Sequence, residues 1–189
     1  MPKDYAREEN GTTVIMATSQ DERYPPENML DGKEGTFWVT TGCFPQEFVL
    51  AFAKPIQITQ IVVMSINVKG LSIETCEKES PQVFEHLCGP LELANREGRL
   101  QNERHQVNPP RGQKARFLKF TIQSGYADFA TINRVSVVGS ALDGTDDGGD
   151  EGTGTSSGGG GYVAGSTRSG GGAGSRGVGG YNADNDPDF

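Results

Sequence analysis

The stretch Phe48-Val49-Leu50-Ala51-Phe52 decides the fold, because every second position carries a large apolar side chain. The stretch Leu118-Lys119-Phe120-Thr121-Ile122 repeats this spacing. Side chains two residues apart lie on the same face of a β-strand, so the large apolar groups of each stretch share one face. We therefore predict two strands that present one face to a core, with the other face free to meet water.

Further short runs rich in β-branched and aromatic residues lie between turn signals, a pattern typical of antiparallel sandwiches. The predicted strands are residues 12–18, 47–52, 58–66, 71–76, 116–123 and 132–138, with weaker candidates at 83–86, 91–93 and 105–107. No window has a 3.6-residue apolar stripe of helical length, although residues 26–30 fit one short turn. The sequence thus predicts an all-β antiparallel β-sandwich of about eight strands.

Glycine divides the chain into two parts. Ten of the 27 glycines lie in residues 1–139 and 17 lie in residues 140–189. The second part consists largely of Asp, Gly, Ser and Thr, and such a segment cannot bury enough apolar surface to offset chain entropy. We expect a folded domain at residues 1–139 and a disordered, acidic Gly/Ser-rich tail at residues 140–189.

Charge divides the chain at the same place. Residues 1–139 contain 15 Lys and Arg against 17 Asp and Glu, whereas the tail contains 2 against 8, which together give the formal net charge of −8. Nucleic-acid-binding chains normally carry a basic surface for phosphates. No nucleic-acid partner is therefore expected.

Apolar runs and cysteines indicate a compartment. No run approaches the roughly 18 apolar residues that span a bilayer, and the start at Met1 has early charges rather than a secretory signal, so we expect no direct membrane insertion. The three cysteines, Cys43, Cys76 and Cys88, are odd in number and lack C-x-x-C spacing. This favours neither a disulfide framework nor a zinc site, and a reducing cytoplasm fits best.

The segment from Pro25 to Trp38 concentrates oxygen donors in one tight loop. Calcium takes six to eight oxygen ligands in irregular geometry, and Asp31 would supply charge, Thr36 a hydroxyl or carbonyl oxygen, and Asn28 a backbone or side-chain oxygen. The same residue types also form ordinary turns, and from spacing alone the turn is the favoured interpretation. Trp38 is expected to fill the core rather than hold a ligand.

The order Asn28, Asp31-Gly32, Thr36 and Trp38 resembles the N-x-x-D-G-x-x-x-T-x-W signature of galactose-binding-like, discoidin-type jelly rolls. Residues 14–19, 24–28, 41–48, 98–103 and 115–120 further resemble the jelly-roll subunit family of the ciliary intraflagellar transport complex B. The resemblance covers about residues 12–139, and the Gly-rich tail lies outside it.

This resemblance implies a non-enzymatic subunit that forms a heterodimer with a small Rab-like GTPase subunit and joins other transport-complex proteins. It also implies a structural calcium ion held through Asn28, Asp31 and Thr36, and a location in the cilium or flagellum as well as the cytoplasm. The alternative from another class is a calcium-dependent glycan- or phospholipid-binding module, for which Phe44, Tyr126 and Phe129 would be the loop tips. A surface that faces another protein is an equally physical interpretation of these apolar loop residues.

No catalytic grouping is recognisable around the only two histidines, His86 and His105. The scattered Glu77, Glu79, Glu85 and Glu92 fit a solvated rim better than a pair of catalytic carboxylates. Cys43 would need a lowered pKa to be reactive, which a sequence does not reveal. We expect no catalytic residues.

Overall fold

This computed structural model describes residues 3–33 and 35–142. These residues contain nine β-strands and two 3-10 helices, joined by turns and loops. The strands are β1 (Lys3–Asp4), β2 (Thr13–Ala17), β3 (Trp38–Val39), β4 (Gln46–Ile66), β5 (Val68–Cys76), β6 (Glu85–Glu92), β7 (Gln101–Gln106), β8 (Ala115–Gly125) and β9 (Thr131–Ala141). The 3-10 helices are Glu8–Asn10 and Pro26–Met29. The all-β prediction is confirmed, and so is the short helical turn.

All strand pairs are antiparallel, and the long strand β4 belongs to two layers. Its first part pairs with β2 and β8, and the order β2–β4–β8–β5–β6 forms one layer. Its second part pairs with β7 and β9, and β9 in turn pairs with β1 and β3. The predicted sandwich is therefore a jelly roll in which β4 crosses from one layer to the other.

The predicted strands 47–52 and 58–66 were wrong as separate elements, since both lie in β4. Residues 53–57 lay between the two predicted strands. Proline cannot donate to a ladder, but here the register to β8 shifts between Ala51 and Ile56, so Pro55 lies where no N–H is required. The chain bends at this point without ending the strand.

The weaker strand predictions were too short. Residues 83–86 overlap the start of β6 and residues 91–93 overlap its end, so one strand was predicted as two, and residues 105–107 overlap the end of β7. The two-residue strands β1 and β3 were missed, because two residues are too few for an alternation to be visible.

The core lies between the layers and contains both stretches that predicted it. Phe48, Leu50, Leu118, Phe120 and Ile122 are each 0% exposed. The rings of Phe48 and Phe120 stack with centroids 4.6 Å apart and an interplanar angle of 6°. Burying one such side chain stabilises the fold by about 1.5–3 kcal/mol.

Strand β9 ends at Ala141, beyond the predicted strand end at Val138. The N–H of Leu142 still donates to the carbonyl of Pro55 at 2.9 Å. Residues 143–189 lie outside the described residues, so the predicted disorder of the tail stays a prediction. Within the described ranges, no helix has the length and apolarity needed to cross a membrane.

Candidate functional site

The loop that carries the predicted metal ligands leaves the core after the second 3-10 helix. Pro26 occupies the start of this helix, where a missing N–H costs nothing. Met29 and Leu30 are 0% and 1% exposed and fix the helix to the core. The next residue, Asp31, is the first that is not buried. Its backbone is therefore held in place by the two buried residues that precede it.

Asp31 and Thr36 meet in the loop. The Thr36 hydroxyl lies 3.0 Å from Oδ1 and 2.9 Å from Oδ2 of Asp31, and 3.4 Å from the carbonyl oxygen of Lys33. The N–H of Lys33 donates to Asp31 Oδ1 at 2.8 Å. Three oxygen atoms of Asp31 and Lys33 therefore surround the Thr36 hydroxyl.

Gly32 gives the loop its sharp turn. Its φ of +79° lies in the left-handed region, which costs other residues about 1 kcal/mol or more. The ammonium of Lys33 lies 3.8 Å from Asp31 Oδ2, but the Lys33 side chain is 74% exposed, so this ion pair contributes little. The Asp31 carboxylate is held mainly by the Lys33 N–H and the Thr36 hydroxyl.

Asn28 has a different place from Asp31 and Thr36. Its Nδ2 donates to the carbonyl of Phe37 at 3.0 Å and thereby ties the helix to the residue before β3. Across residues 3–33 and 35–142, no hydrogen bond joins Asn28 to Asp31 or Thr36. Any oxygen that Asn28 gives to a metal would have to be Oδ1 or its backbone carbonyl.

The donor chemistry of this loop fits calcium. Carboxylate, hydroxyl and carbonyl oxygens are the ligands that calcium takes, and the loop brings these three kinds together. In the described ranges, no three His, Cys, Asp or Glu side chains converge as a metal cluster. An ion held here would take the Asp31 carboxylate and an oxygen of Thr36 as ligands.

Trp38 fills the core, as predicted. It is 0% exposed and packs edge-on against Phe48, with ring centroids 5.4 Å apart and an interplanar angle of 69°. Its indole N–H donates to the carbonyl of Ser19 at 2.9 Å, which satisfies the one polar atom of the side chain. Trp38 thus anchors the end of the loop rather than forming a ligand platform.

Of the three predicted loop tips, only Phe129 projects into solvent. Its side chain is 51% exposed, whereas Phe44 and Tyr126 are partly buried. The Tyr126 hydroxyl donates to the carbonyl of Leu93 at 2.6 Å. The neighbouring backbone of Phe129 is rigid, because the Ala130 N–H donates to Thr40 Oγ1 at 2.9 Å.

The other side chains considered for chemistry are scattered. His86 is exposed on β6 and His105 is partly buried on β7, and Glu77, Glu79, Glu85 and Glu92 are all exposed. Cys43 is exposed, while Cys76 and Cys88 are buried and free. Burial raises the pKa of the Cys88 thiol to about 11, which disfavours its reactive thiolate form.

Sequence reasoning missed two polar hubs, Gln46 and Asp4. Gln46 Oε1 accepts the hydroxyls of Thr18 and Ser19 at 2.7 and 2.6 Å, and its Nε2 donates to the carbonyl of Cys43 at 2.7 Å. Asp4 accepts N–H and O–H groups from β9 and from the segment after β1. Neither hub has a sequence signal, since most of the partners of each are far away along the chain.

Comparison with known proteins gives the family. The profile of the F5/8 type C domain matches residues 14–135. Intraflagellar transport protein 25 of Chlamydomonas reinhardtii is 56% identical over 137 residues, which cover 72% of this chain and 70% of that protein. The mouse homologue of that name is 43% identical over 129 residues, which cover 68% of this chain and 87% of the mouse protein.

Solved structures show the same fold at low sequence identity. A family 32 CBM from C. perfringens in complex with galactose matches with a TM-score of 0.59 and 20% identity, over 73% of this chain and 99% of that one. The C-terminal domain of a chitobiase from Bacteroides fragilis matches with a TM-score of 0.59 and 17% identity, over 75% and 100% of the two chains. The jelly roll, the matching domain profile and the extended identity agree, and the chain belongs to the intraflagellar transport protein 25 family of F5/8 type C domains.

Proposed function

We propose that the chain is a non-enzymatic adaptor subunit of the intraflagellar transport B complex and forms a heterodimer with a small Rab-like GTPase subunit. The observation that carries this proposal is the 56% identity over 137 residues to a protein named for intraflagellar transport. The match spans most of the described fold, so it involves surface loops as well as the core. The protein would act in the cilium or flagellum and be supplied from the cytoplasm.

Phe129 is the side chain that we assign to partner contact. An exposed aromatic group on a rigid base loses little conformational entropy when a partner covers it, and such residues often dominate binding energy. Phe129 is 51% exposed, and the Thr40 backbone N–H and side chain hold the next residue, Ala130, at 3.0 and 2.9 Å. This combination supports a protein-facing surface at the loop end of the sandwich.

Calcium has a structural role in the proposal. Asp31 and Thr36 would hold the ion through their side-chain oxygens, and Asn28 would add its Oδ1 or its carbonyl oxygen. A bound divalent ion would neutralise Asp31 and crosslink the loop between the 3-10 helix and β3. No reaction step is assigned to it.

Purification tests the heterodimer directly. The endogenous protein isolated from flagellated cells in a physiological buffer should bring a small GTPase in equal molar amount, as measured by quantitative mass spectrometry. A Phe129→Asp variant should lose the GTPase but keep its own fold. Recovery of the wild-type chain as a lone monomer would contradict the proposal.

The glycan- or phospholipid-binding alternative requires exposed aromatic loop tips. Two of the three predicted tips, Phe44 and Tyr126, are partly buried, so the described loops do not support it. The likeness to a galactose-bound CBM concerns the fold alone. A glycan array and liposome pelleting, each with and without calcium, should show no binding. Calcium-dependent binding in either assay would favour the alternative.

A further inference from the structure

The Asp4 carboxylate joins the N-terminal segment to β9 and to Arg7. Its Oδ1 accepts the N–H groups of Ala6 and Val137 at 3.1 and 2.9 Å, and its Oδ2 accepts the hydroxyl of Ser136. The same Oδ2 lies 3.2 Å from Nε of Arg7. Because several donors fix the carboxylate, it is a rigid anchor for the guanidinium.

The guanidinium of Arg7 lies against Gly32, the residue that follows Asp31. A Cβ atom placed on Gly32 would be 2.0 Å from Nη1 and 3.0 Å from Cζ of Arg7. The far end of an arginine could normally move away from such an atom, but Asp4 holds this one. Arg7 therefore covers the backbone of the loop that carries Asp31.

The burial of this pair makes it more than a surface contact. The side chains of Arg7 and Asp4 are only 18% and 21% exposed. A guanidinium is planar and presents several N–H groups in a fixed fork, so one edge can bind Asp4 while the other end packs on Gly32. The single ammonium of a lysine cannot do both.

A backbone hydrogen bond also connects the N-terminal segment to the loop, although more weakly. The Glu8 N–H donates to the carbonyl of Leu30 at 3.5 Å.

We infer that Arg7, anchored by Asp4, is a positioning residue that holds the Asp31 loop in the conformation that brings Asp31 next to Thr36. The part of this inference that concerns calcium rests on the proposed function. A restrained loop loses less conformational freedom when an ion binds, so calcium affinity depends on Arg7 although Arg7 gives no ligand. Groups that orient metal ligands typically change metal affinity by about 10- to 100-fold when they are removed.

Three variants of the full-length chain test the inference. Arg7→Ala removes the guanidinium that joins Asp4 to Gly32, which we call the Asp4–Arg7 clamp. Arg7→Lys keeps the charge and most of the aliphatic side chain but lacks the planar guanidinium. Arg23→Ala is the matched control, because it removes an exposed guanidinium that pairs with Asp21. Each variant is first stripped of metal with a chelator, and hydrogen exchange of the Gly32 and Lys33 amides is then measured. Calcium affinity is measured afterwards by titration calorimetry.

The expected order is the same in both measurements. Arg7→Ala exchanges these two amides about tenfold faster than wild type and binds calcium about tenfold more weakly, Arg7→Lys lies between them, and Arg23→Ala matches wild type. Unchanged exchange in Arg7→Ala and Arg7→Lys overturns the inference, whether or not calcium binds. If Arg7→Ala fails to fold, Arg7→Lys decides the question. A wild-type chain that binds no calcium overturns the proposed metal site. The hydrogen-exchange rates then still test whether Arg7 holds the Asp31 loop in place.

Discussion

The Asp31 loop and the Phe48–Phe120 core are held together in different ways. The core consists of fully buried apolar side chains from β4 and β8, with aromatic rings stacked 4.6 Å apart. The loop depends on a few directed polar contacts between Asp31, Thr36 and the Lys33 N–H. Packing spreads its stabilisation over many atoms, whereas the conformation of the loop is sensitive to each of a few groups.

This difference predicts which substitutions should affect stability and which should affect the proposed calcium site. Core substitutions should act on unfolding and leave calcium binding intact in any protein that still folds. Loop substitutions should change calcium binding with modest effects on the metal-free fold. The following predictions test this separation.

The largest effect is expected from Phe120→Ala. It removes a ring that is 0% exposed and stacked on Phe48, so we expect a loss of about 3–5 kcal/mol of unfolding free energy. Urea denaturation followed by Trp38 fluorescence measures it. Phe129→Ala is the matched control and should change stability by no more than about 0.5 kcal/mol. A loss below about 1 kcal/mol for Phe120→Ala would show that the core readily collapses around the gap.

Asp31→Ala should abolish the stabilisation by calcium. A ligand that binds only the folded state adds about 2.7 kcal/mol at 100 times its Kd, and in the proposed site Asp31 would supply the charge for calcium. Thermal unfolding with calcium and with chelator gives the increment. The metal-free variant should lose only about 1 kcal/mol, from the hydrogen bonds to Lys33 and Thr36.

Asp21→Ala provides the control for this experiment. Asp21 is another loop carboxylate, and the Arg23 guanidinium that hydrogen bonds to it lowers its pKa. It has no contact with the Asp31 cluster in the described hydrogen bonds, so its variant should keep the full calcium increment. A wild-type increment that survives in Asp31→Ala would remove Asp31 from the site.

Phe129→Asp should weaken the proposed heterodimer by about 2 kcal/mol or more, because it places a charge where an aromatic anchor is expected. Its unfolding midpoint should stay near wild type, since the side chain is 51% exposed. Co-expression with the GTPase subunit, followed by gel filtration, measures the complex. An intact complex would place the partner surface elsewhere, and Ile15→Asp, at an exposed apolar side chain of β2, would then be the next variant to compare.

The smallest effect is expected from chemical labelling of the cysteines, one of which is in an exposed loop while the other two are buried. At pH 8, a thiol reagent should label Cys43 quickly in the native protein, and Cys76 and Cys88 only after unfolding. Burial raises the pKa of Cys88 to about 11, so at pH 8 its reactive thiolate is scarce in the folded protein. Intact-mass spectrometry counts the labels, and rapid labelling of more than one thiol would indicate local opening of the core.

The sequence was most informative where side chains alternate. The pattern in residues 48–52 and 118–122 correctly located the core, because burial of one strand face leaves a period of two in the residues themselves. It could not show that β4 is continuous past Pro55, since the absence of a ladder N–H at that position depends on the register to β8. Local pattern predicts faces better than it predicts strand ends.

The candidate site was less predictable from local chemistry. Spacing alone left Asp31 and Thr36 as turn residues, and a family signature was needed to pair them. Their approach to 2.9 Å depends on the helix at Pro26–Met29 and on the left-handed turn at Gly32. The clamp formed by Asp4 and Arg7 had no signal at all, because it joins residues near the start of the chain to β9 and to the loop.

Live imaging of a tagged chain in flagella tests the proposed transport role most directly. A fluorescent fusion of the full-length chain, expressed at endogenous level in cells that lack the native protein, is followed along the flagellum. The proposed function predicts particles that move in both directions at the same speeds as a known transport-complex subunit. A fusion that only diffuses, or that never enters the flagellum, while the labelled transport complex still moves, would contradict it.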